Sequence, residues 1–338
     1  MMRKTITVLI PVYRPGKMVR ELLTRLSRQT HVPEKIIIIH TLEESSDRKT
    51  EGDPESDKRD ADYYMDYLFD LSEEFRDTFG DLTVYHIPKE EFGHGKTRDF
   101  GICESDTELC LCMTQDALPR DRKLVTILEQ AFEDPEVGAA YGRQLAGKKS
   151  NPLEREARLF NYPARSEVKS SADLERMGIK TFFCSDVCAM WRKDLYEQLG
   201  GFEKDVIFNE DMILAGKMIK AGYKIAYCAD ACVYHSHNYP GARQLRRNFD
   251  LGVSQADHPE IFSMASSGKE GIRFVKTAVG NLLHEGHADM IPAFIWQSGC
   301  KFAGYRLGKA YRKLPAPVIR HLTSNRAWWK KNGAEKRK

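Results

Sequence analysis

The run Leu109-Cys110-Leu111-Cys112-Met113-Thr114-Gln115-Asp116-Ala117 decides how this chain is read. Its apolar part is too short for a helix and fits a strand buried on both faces. A lone carboxylate follows, at the C-terminal end of that strand, where open α/β sheets bind their ligands. Two further clusters, Asn209-Glu210-Asp211 and His235-Ser236-His237, add an acidic pair and an imidazole pair. Together these groups suit a divalent metal, a phosphate-bearing substrate and a general base.

Working outward from this strand, residues 5–12, 35–39 and 82–87 read as three more buried strands. Between them, Val19, Leu22, Leu23 and Leu26 recur at helical spacing, and residues 63–79 place Tyr64, Tyr67, Leu68, Leu71 and Phe75 on one helical face. Residues 43–60 are charged and carry Gly52 and Pro54, which predicts an exposed loop. Gly93-His94-Gly95-Lys96 reads as a flexible turn opening a helix. Strands alternating with helices over 120 residues predict a parallel sheet with right-handed crossovers. Further along, a helix is expected at 123–132, a strand at 137–141, loops over 150–180, an extended segment at 182–191, a helix at 211–221 and strands at 224–228 and 232–235. After Pro240 the pattern turns to helices and loops. The expected organisation is an α/β domain at 1–240, in two halves at 1–120 and 121–240, then a helical, basic region at 241–338.

The chain has 338 residues, 41% hydrophobic and 30% charged, enough for a sizeable core and a well solvated surface. The net charge of +3 gives no global electrostatic case for nucleic acid. The N-terminal residues lack the apolar core of a signal peptide, and no run of 18 apolar residues exists, so a cytoplasmic protein without a spanning helix is expected. The eight cysteines lie mostly in apolar runs without a C-x-x-C pair, which reads as buried free thiols.

Taken singly, each cluster also has a plain structural reading. Asp116 could cap a helix before Ala117-Leu118-Pro119 as readily as bind a metal. Glu210 and Asp211 at a helix start could serve only its dipole. His235 ends an apolar strand, where a lone histidine is more often structural; the His-x-His spacing, with both rings on one strand face, favours function. Arg98 and Asp99 could be a solvated ion pair.

The order of the pieces tilts these readings. Ile10-Pro11-Val12-Tyr13, His94-Gly95-Lys96-Thr97-Arg98-Asp99, Thr114-Gln115-Asp116-Ala117, Leu199-Gly200-Gly201-Phe202, Asn209-Glu210-Asp211 and Val233-Tyr234-His235-Ser236-His237 follow one another over residues 5–240. This order resembles the family 2 glycosyltransferases of GT-A fold, and most of all bacterial rhamnosyltransferases of surface polysaccharide synthesis. The resemblance implies a Rossmann-like, mostly parallel sheet flanked by helices, in a catalytic domain at 1–240 with a nucleotide-sugar half at 1–120 and an acceptor half at 121–240. It implies inverting transfer of a sugar, rhamnose from dTDP-rhamnose among the candidates, from a nucleotide-diphosphate donor to a hydroxyl of a glycan or lipid-linked glycan. Pro11, Tyr13, Arg98, Asp99 and Gln115 would line the nucleotide site. Asp116 and His235 would hold Mg or Mn with the diphosphate. Asp211 would be the base, with Glu210 as the fallback, and Ser185, Asp186 and Trp191 would lie near the sugar or acceptor. Two positions depart from the family pattern. The usual acid ending the second strand is replaced by His40-Thr41-Leu42-Glu43, so Thr41 or Glu43 would take its place. Thr114 stands where the first acid of D-x-D is expected.

Residues 291–329 interleave apolar and basic side chains, among them Phe294, Trp296, Phe302, Arg306, Lys309, Tyr311, Ile319 and Trp329. This pattern suits a peripheral helix on an anionic membrane's inner face, a helix packed on the catalytic domain, or a homo-oligomer interface. Two other functions share the sequence features: a metal-dependent nucleotidyltransferase, and a non-catalytic sugar-nucleotide-binding protein. The first normally shows a Gly-rich phosphate loop, and Ile10-Pro11-Val12-Tyr13-Arg14-Pro15-Gly16 matches that poorly.

Overall fold

Strand β1 (Ile6–Tyr13) pairs in parallel with β2 (Lys35–Thr41) on one side and β4 (Leu109–Met113) on the other, and β3 (Asp81–Ile87) continues the parallel run beyond β2. In this computed structural model, residues 3–42, 61–265 and 268–332 are described. The expected loop at 43–60, Glu43 included, lies outside them. Helices α1 (Lys17–Leu26), α2 (Ala61–Phe75) and α3 (His94–Cys103) link these strands. Strands β1, β2 and β4 are buried at nearly every position because helices cover both faces, while the edge strand β3 is only half-buried. Ile6, Val8, Leu9, Ile10 and the whole Ile36-Ile37-Ile38-Ile39 run are fully buried. Helix α1 buries Val19, Leu22, Leu23 and Leu26, the residues its spacing singles out.

The second half comprises β5 (Leu118–Pro119), α4 (Leu124–Gln130), β6 (Val137–Leu145), α5 (Pro152–Asn161), β7 (Glu167–Lys169), α6 (Leu174–Met177), β8 (Cys188–Arg192), α7 (Lys193–Gln198), α8 (Glu210–Lys220) and β9 (Lys224–Tyr234). The sheet runs β3-β2-β1-β4-β8-β6-β9-β5, with β7 also on β9. Here it is mixed rather than purely parallel: β8 runs antiparallel to both β4 and β6, while β6 and β9 are parallel.

Three local expectations are corrected. The stretch 150–180 holds α5 and β7; Asn151 caps α5 by accepting from the Glu154 backbone N–H, and Pro152 opens it. The extended segment at 182–191 is a strand only from Cys188 onward. The two strands at 224–228 and 232–235 are one, β9, and a register shift opposite Gly142 and Arg143 accommodates the residues between Cys228 and Cys232.

Beyond Pro240, the described residues are helical: α9 (Gly241–Asp257), α10 (Pro259–Phe262), α11 (Gly268–His284), α12 (Ile291–Lys309), α13 (Ala316–Leu322) and α14 (Arg326–Asn332). Phe249 and Val253 of α9 share a core with Ile207, Tyr311, Ile319 and Trp329, tying this region to the loop before α8. All eight thiols are free, and only Cys103 is exposed. Among the described residues, no helix is long and apolar enough to cross a membrane.

Candidate active site

Two strand pairings assemble the first part of the site. The two-residue β5 pairs Leu118 with Tyr234 and so brings the loop carrying Asp116 beside the end of β9. Strand β6 meets the same end, where the His235 backbone N–H donates to the Leu145 carbonyl at 3.1 Å. Asp116, His235 and His237 consequently converge. One Asp116 carboxylate oxygen is 3.6 Å from His235 Nε2 and the other is 3.4 Å from His237 Nε2. The two Nε2 atoms are 3.1 Å apart. The chain after Ala117 is strand, so Asp116 caps no helix, and the histidines stand just past the strand end rather than on one face of it.

This donor set fits a divalent cation. One ligand atom from each residue lies within 4.8 Å of the others. His235 Nδ1 is 3.0 Å from Gln144 Oε1, so the ring gives its N–H to the amide oxygen and turns the Nε2 lone pair into the cluster. Burial pushes the His235 pKa down to about 4, against the pull of Asp116, with Arg158, His237 and Arg247 assisting. Burial lowers that of His237 as well. Both rings are therefore neutral near pH 7, the state a metal ligand requires. The residue that sequence reasoning left out of the ligand set is His237; its spacing from His235 was the available signal.

Around the cluster, the N-terminal part of α5 pins the histidine loop. Glu154 receives the His237 backbone N–H at 3.3 Å and Arg158 Nε at 2.7 Å, and Arg158 also donates to Gln144 Oε1. Ser236 Oγ accepts from Gly147 N at 3.1 Å. His237 stacks on Tyr239, over which Arg243 and Arg247 of α9 are placed.

The second part of the site is acidic and lies one residue chain away. Gln144 Nε2 donates to Ser185 Oγ at 3.0 Å, and the next residue, Asp186, donates its backbone N–H to Asp211 Oδ2 at 3.2 Å. A continuous path of bonded residues thus runs from the Asp116, His235 and His237 cluster to Asp211. The 184–187 loop sits at the end of β4 because β8 pairs Cys188 with Met113, and Thr114 N donates to Val187 O at 3.3 Å.

Arg98 holds this part together. It donates to Glu210 and to the His94 carbonyl, and its Nε is 3.6 Å from Asp186 Oδ2. Arg98, Asp186 and Glu210 are all buried. The approach requires a glycine at 95: a Cβ there would sit 2.0 Å from the Glu203 carbonyl oxygen and 3.3 Å from Glu210 Cβ. Burial raises the Asp186 carboxyl to about 7, opposed by Arg98. Burial also holds Asp211 well above the ordinary carboxylate range, and the neighbouring Glu210 and Asp186 add to it. Asp211 remains partly exposed while Glu210 is buried, so of the two acids it is the one open to a reactant.

The remaining expected residues fall into two groups. Gln115 is next to Tyr13, exchanging two bonds of 3.0 Å with its backbone N–H and C=O, and Thr41 pairs opposite Tyr13 at the end of β2. Pro11 lies further inside β1. These four sit at or near the C-terminal ends of β1, β2 and β4. Arg98 and Asp99, expected at the nucleotide, are instead occupied within the protein. Asp99 accepts from the Tyr196 hydroxyl at 2.7 Å and pairs with Lys204 at 2.8 Å, which braces the Gly200-Gly201 turn. Trp191 is fully buried behind the site, and its indole N–H donates to Asp186 Oδ1 at 2.8 Å.

Residues 61–200 match the model of glycosyl transferase family 2. The chain is 37% identical over 326 residues to the O-antigen chain rhamnosyltransferase RfbN of Salmonella typhimurium, covering 96% of each. It is 34% identical to the O-antigen chain rhamnosyltransferase WbaN of Salmonella anatum, covering 96% of this chain and 95% of that one. Among solved structures, the mannosyltransferase PcManGT from Pyrobaculum calidifontis, in complex with GDP-Man and Mn2+, superposes with a TM-score of 0.56 at 18% identity, over 99% of this chain and 87% of that one. The chain belongs to glycosyl transferase family 2, and it is a glycosyltransferase of GT-A fold.

Proposed function

We propose that this glycosyltransferase is an inverting, cation-dependent rhamnosyltransferase that moves rhamnose from dTDP-rhamnose to a hydroxyl of a glycan or lipid-linked glycan in surface polysaccharide synthesis. The observation that carries this reading is the bonded path from the Asp116, His235 and His237 cluster, through Gln144 and Ser185, to Asp186 and Asp211. The names of the two Salmonella relatives support the sugar and the pathway class.

Asp116, His235 and His237 would hold Mg or Mn, which when bound neutralises the departing diphosphate. The protein's own groups do the rest. Tyr13 and Thr41 at the strand ends, with Gln115 fixing the Tyr13 backbone, would seat the nucleotide. Asp211 takes the proton from the acceptor hydroxyl, whose oxygen attacks the anomeric carbon from the face opposite the diphosphate. The C–O bond to the acceptor forms as the C–O bond to the diphosphate breaks, so one displacement inverts the centre. Arg98 holds Glu210 in an ion pair, leaving Asp211 to act as base.

The test is a transfer assay that separates products. Asp211→Asn should retain nucleotide binding and lose transfer by roughly 100-fold to 10,000-fold, the range for a general base. The wild type should release dTDP and leave the transferred sugar on the acceptor with inverted configuration. Normal turnover by the variant would remove Asp211 from the mechanism, and release of pyrophosphate would favour a nucleotidyltransferase.

A further inference from the structure

The C-terminal third carries a second feature, separate from the site. Of the aromatic and basic side chains interleaved there, Phe294, Tyr311, Ile319 and Trp329 are buried in local cores. Ile295, Trp296 and Phe302 are not: they are 48%, 69% and 68% exposed. With exposed Gly299 they recur at a spacing that puts them on one face of α12, and Arg306 and Lys309 continue that exposed stripe through the helix's last turns. Residues 290–332 contain nine Lys and Arg side chains and no Asp or Glu. Beyond α12, Lys313, Arg320, Arg326 and Lys330 are also exposed.

We propose that this face of α12, with the basic segment after it, is a docking surface for an anionic lipid bilayer. A helix with an apolar stripe at one end and cations at the other lies in the interfacial plane, burying the stripe at the headgroup boundary and setting the cations among lipid phosphates. Tryptophan is suited to that depth because its ring is apolar and its N–H polar. A second copy of the chain would instead bring two basic segments without acids of their own together, which like-charge repulsion opposes. The inference is independent of the proposed reaction: vesicle binding needs neither donor nor acceptor, so either can fail alone.

The experiment is co-sedimentation of the full chain with vesicles, either rich in phosphatidylglycerol or of phosphatidylcholine only, at low and high salt. The protein should bind the anionic vesicles at low salt, leave them at high salt, and ignore the neutral ones. Trp296→Ser with Phe302→Ser should lower the partition coefficient roughly tenfold or more. Arg306→Gln with Lys313→Gln and Lys330→Gln should weaken binding and flatten its salt dependence. All these positions are exposed, and unchanged circular dichroism and nucleotide binding would show that the fold persists. No binding to anionic vesicles at low salt, equal binding by the apolar double variant, or a dimer that this variant dissociates would each overturn the proposal.

Discussion

At the scale of single residues, Asp211 and Arg98 are central to the proposed chemistry. Three carboxylates, Asp186, Glu210 and Asp211, lie near one buried guanidinium, so their charges are not all balanced. A base with a raised pKa is useful at neutral pH because it accepts a proton more readily while staying partly ionised. In the proposed mechanism the deprotonated form of Asp211 acts, so transfer should fall as pH drops through the raised pKa. A pH profile of kcat/KM at saturating cation should therefore place the acid limb above the ordinary carboxylate range, and a limb near pH 4 would contradict this. Arg98→Met should cost about 3–5 kcal/mol of stability, because it strands Glu210 as a buried charge; a denaturant titration measures it. Much of this site was legible as residue identities: Asp116, Asp211 and His235 stand out by type and position. Their partners were not. Sequence spacing could not show that Arg98 faces Glu210 rather than a phosphate, because that contact depends on how closely α3 approaches α8 across Gly95.

Elements were legible where one residue pattern repeats long enough to name them. The buried strands of the first half, and the apolar stripe of α1, follow directly from their sequences. Strand β5 did not, since two residues carry no period, yet its pairing with β9 is what sets Asp116 beside the histidines. Helix α5 was missed because it buries only Leu153 and Glu156, too thin a stripe to stand out, although Asn151 and Pro152 mark its start. The contact of α9 with α12 is a backbone-level fit that periodicity cannot reveal. A Cβ at Gly304 would lie 2.2 Å from the Leu245 carbonyl oxygen, and one at Gly308 2.1 Å from that of Phe249. Gly308→Leu should therefore force the two helices apart and destabilise the C-terminal region by roughly 1–3 kcal/mol or more. Limited proteolysis would show it as faster cleavage there, and unchanged resistance would mean that the contact yields easily.

For the whole molecule, acid should weaken the fold in a defined window. His40 is fully buried against His86, and burial pushes its pKa down to about 4, with the second imidazole adding to the shift. The folded state thus binds fewer protons than the unfolded chain between pH 6.5 and about 4. Its contribution is present above pH 6.5 and is lost as pH falls toward 4, about 3 kcal/mol in all. Denaturant midpoints at the two ends of this window, for wild type and His40→Val, measure it; an equal loss in the variant would assign the effect to other groups. At this scale too, the sheet joins both halves of the site: β1 and β4 present Tyr13 and Asp116, while β6 and β9 present Gln144 and His235. The central claim is that a nucleoside diphosphate binds there through a divalent cation held by Asp116. The most direct test is calorimetric titration of dTDP into wild type and Asp116→Asn, with Mn2+ and with a chelator. The account predicts that wild type binds in a cation-dependent manner and that the variant loses roughly tenfold or more in affinity. Equal binding with chelator, or by the variant, would contradict it.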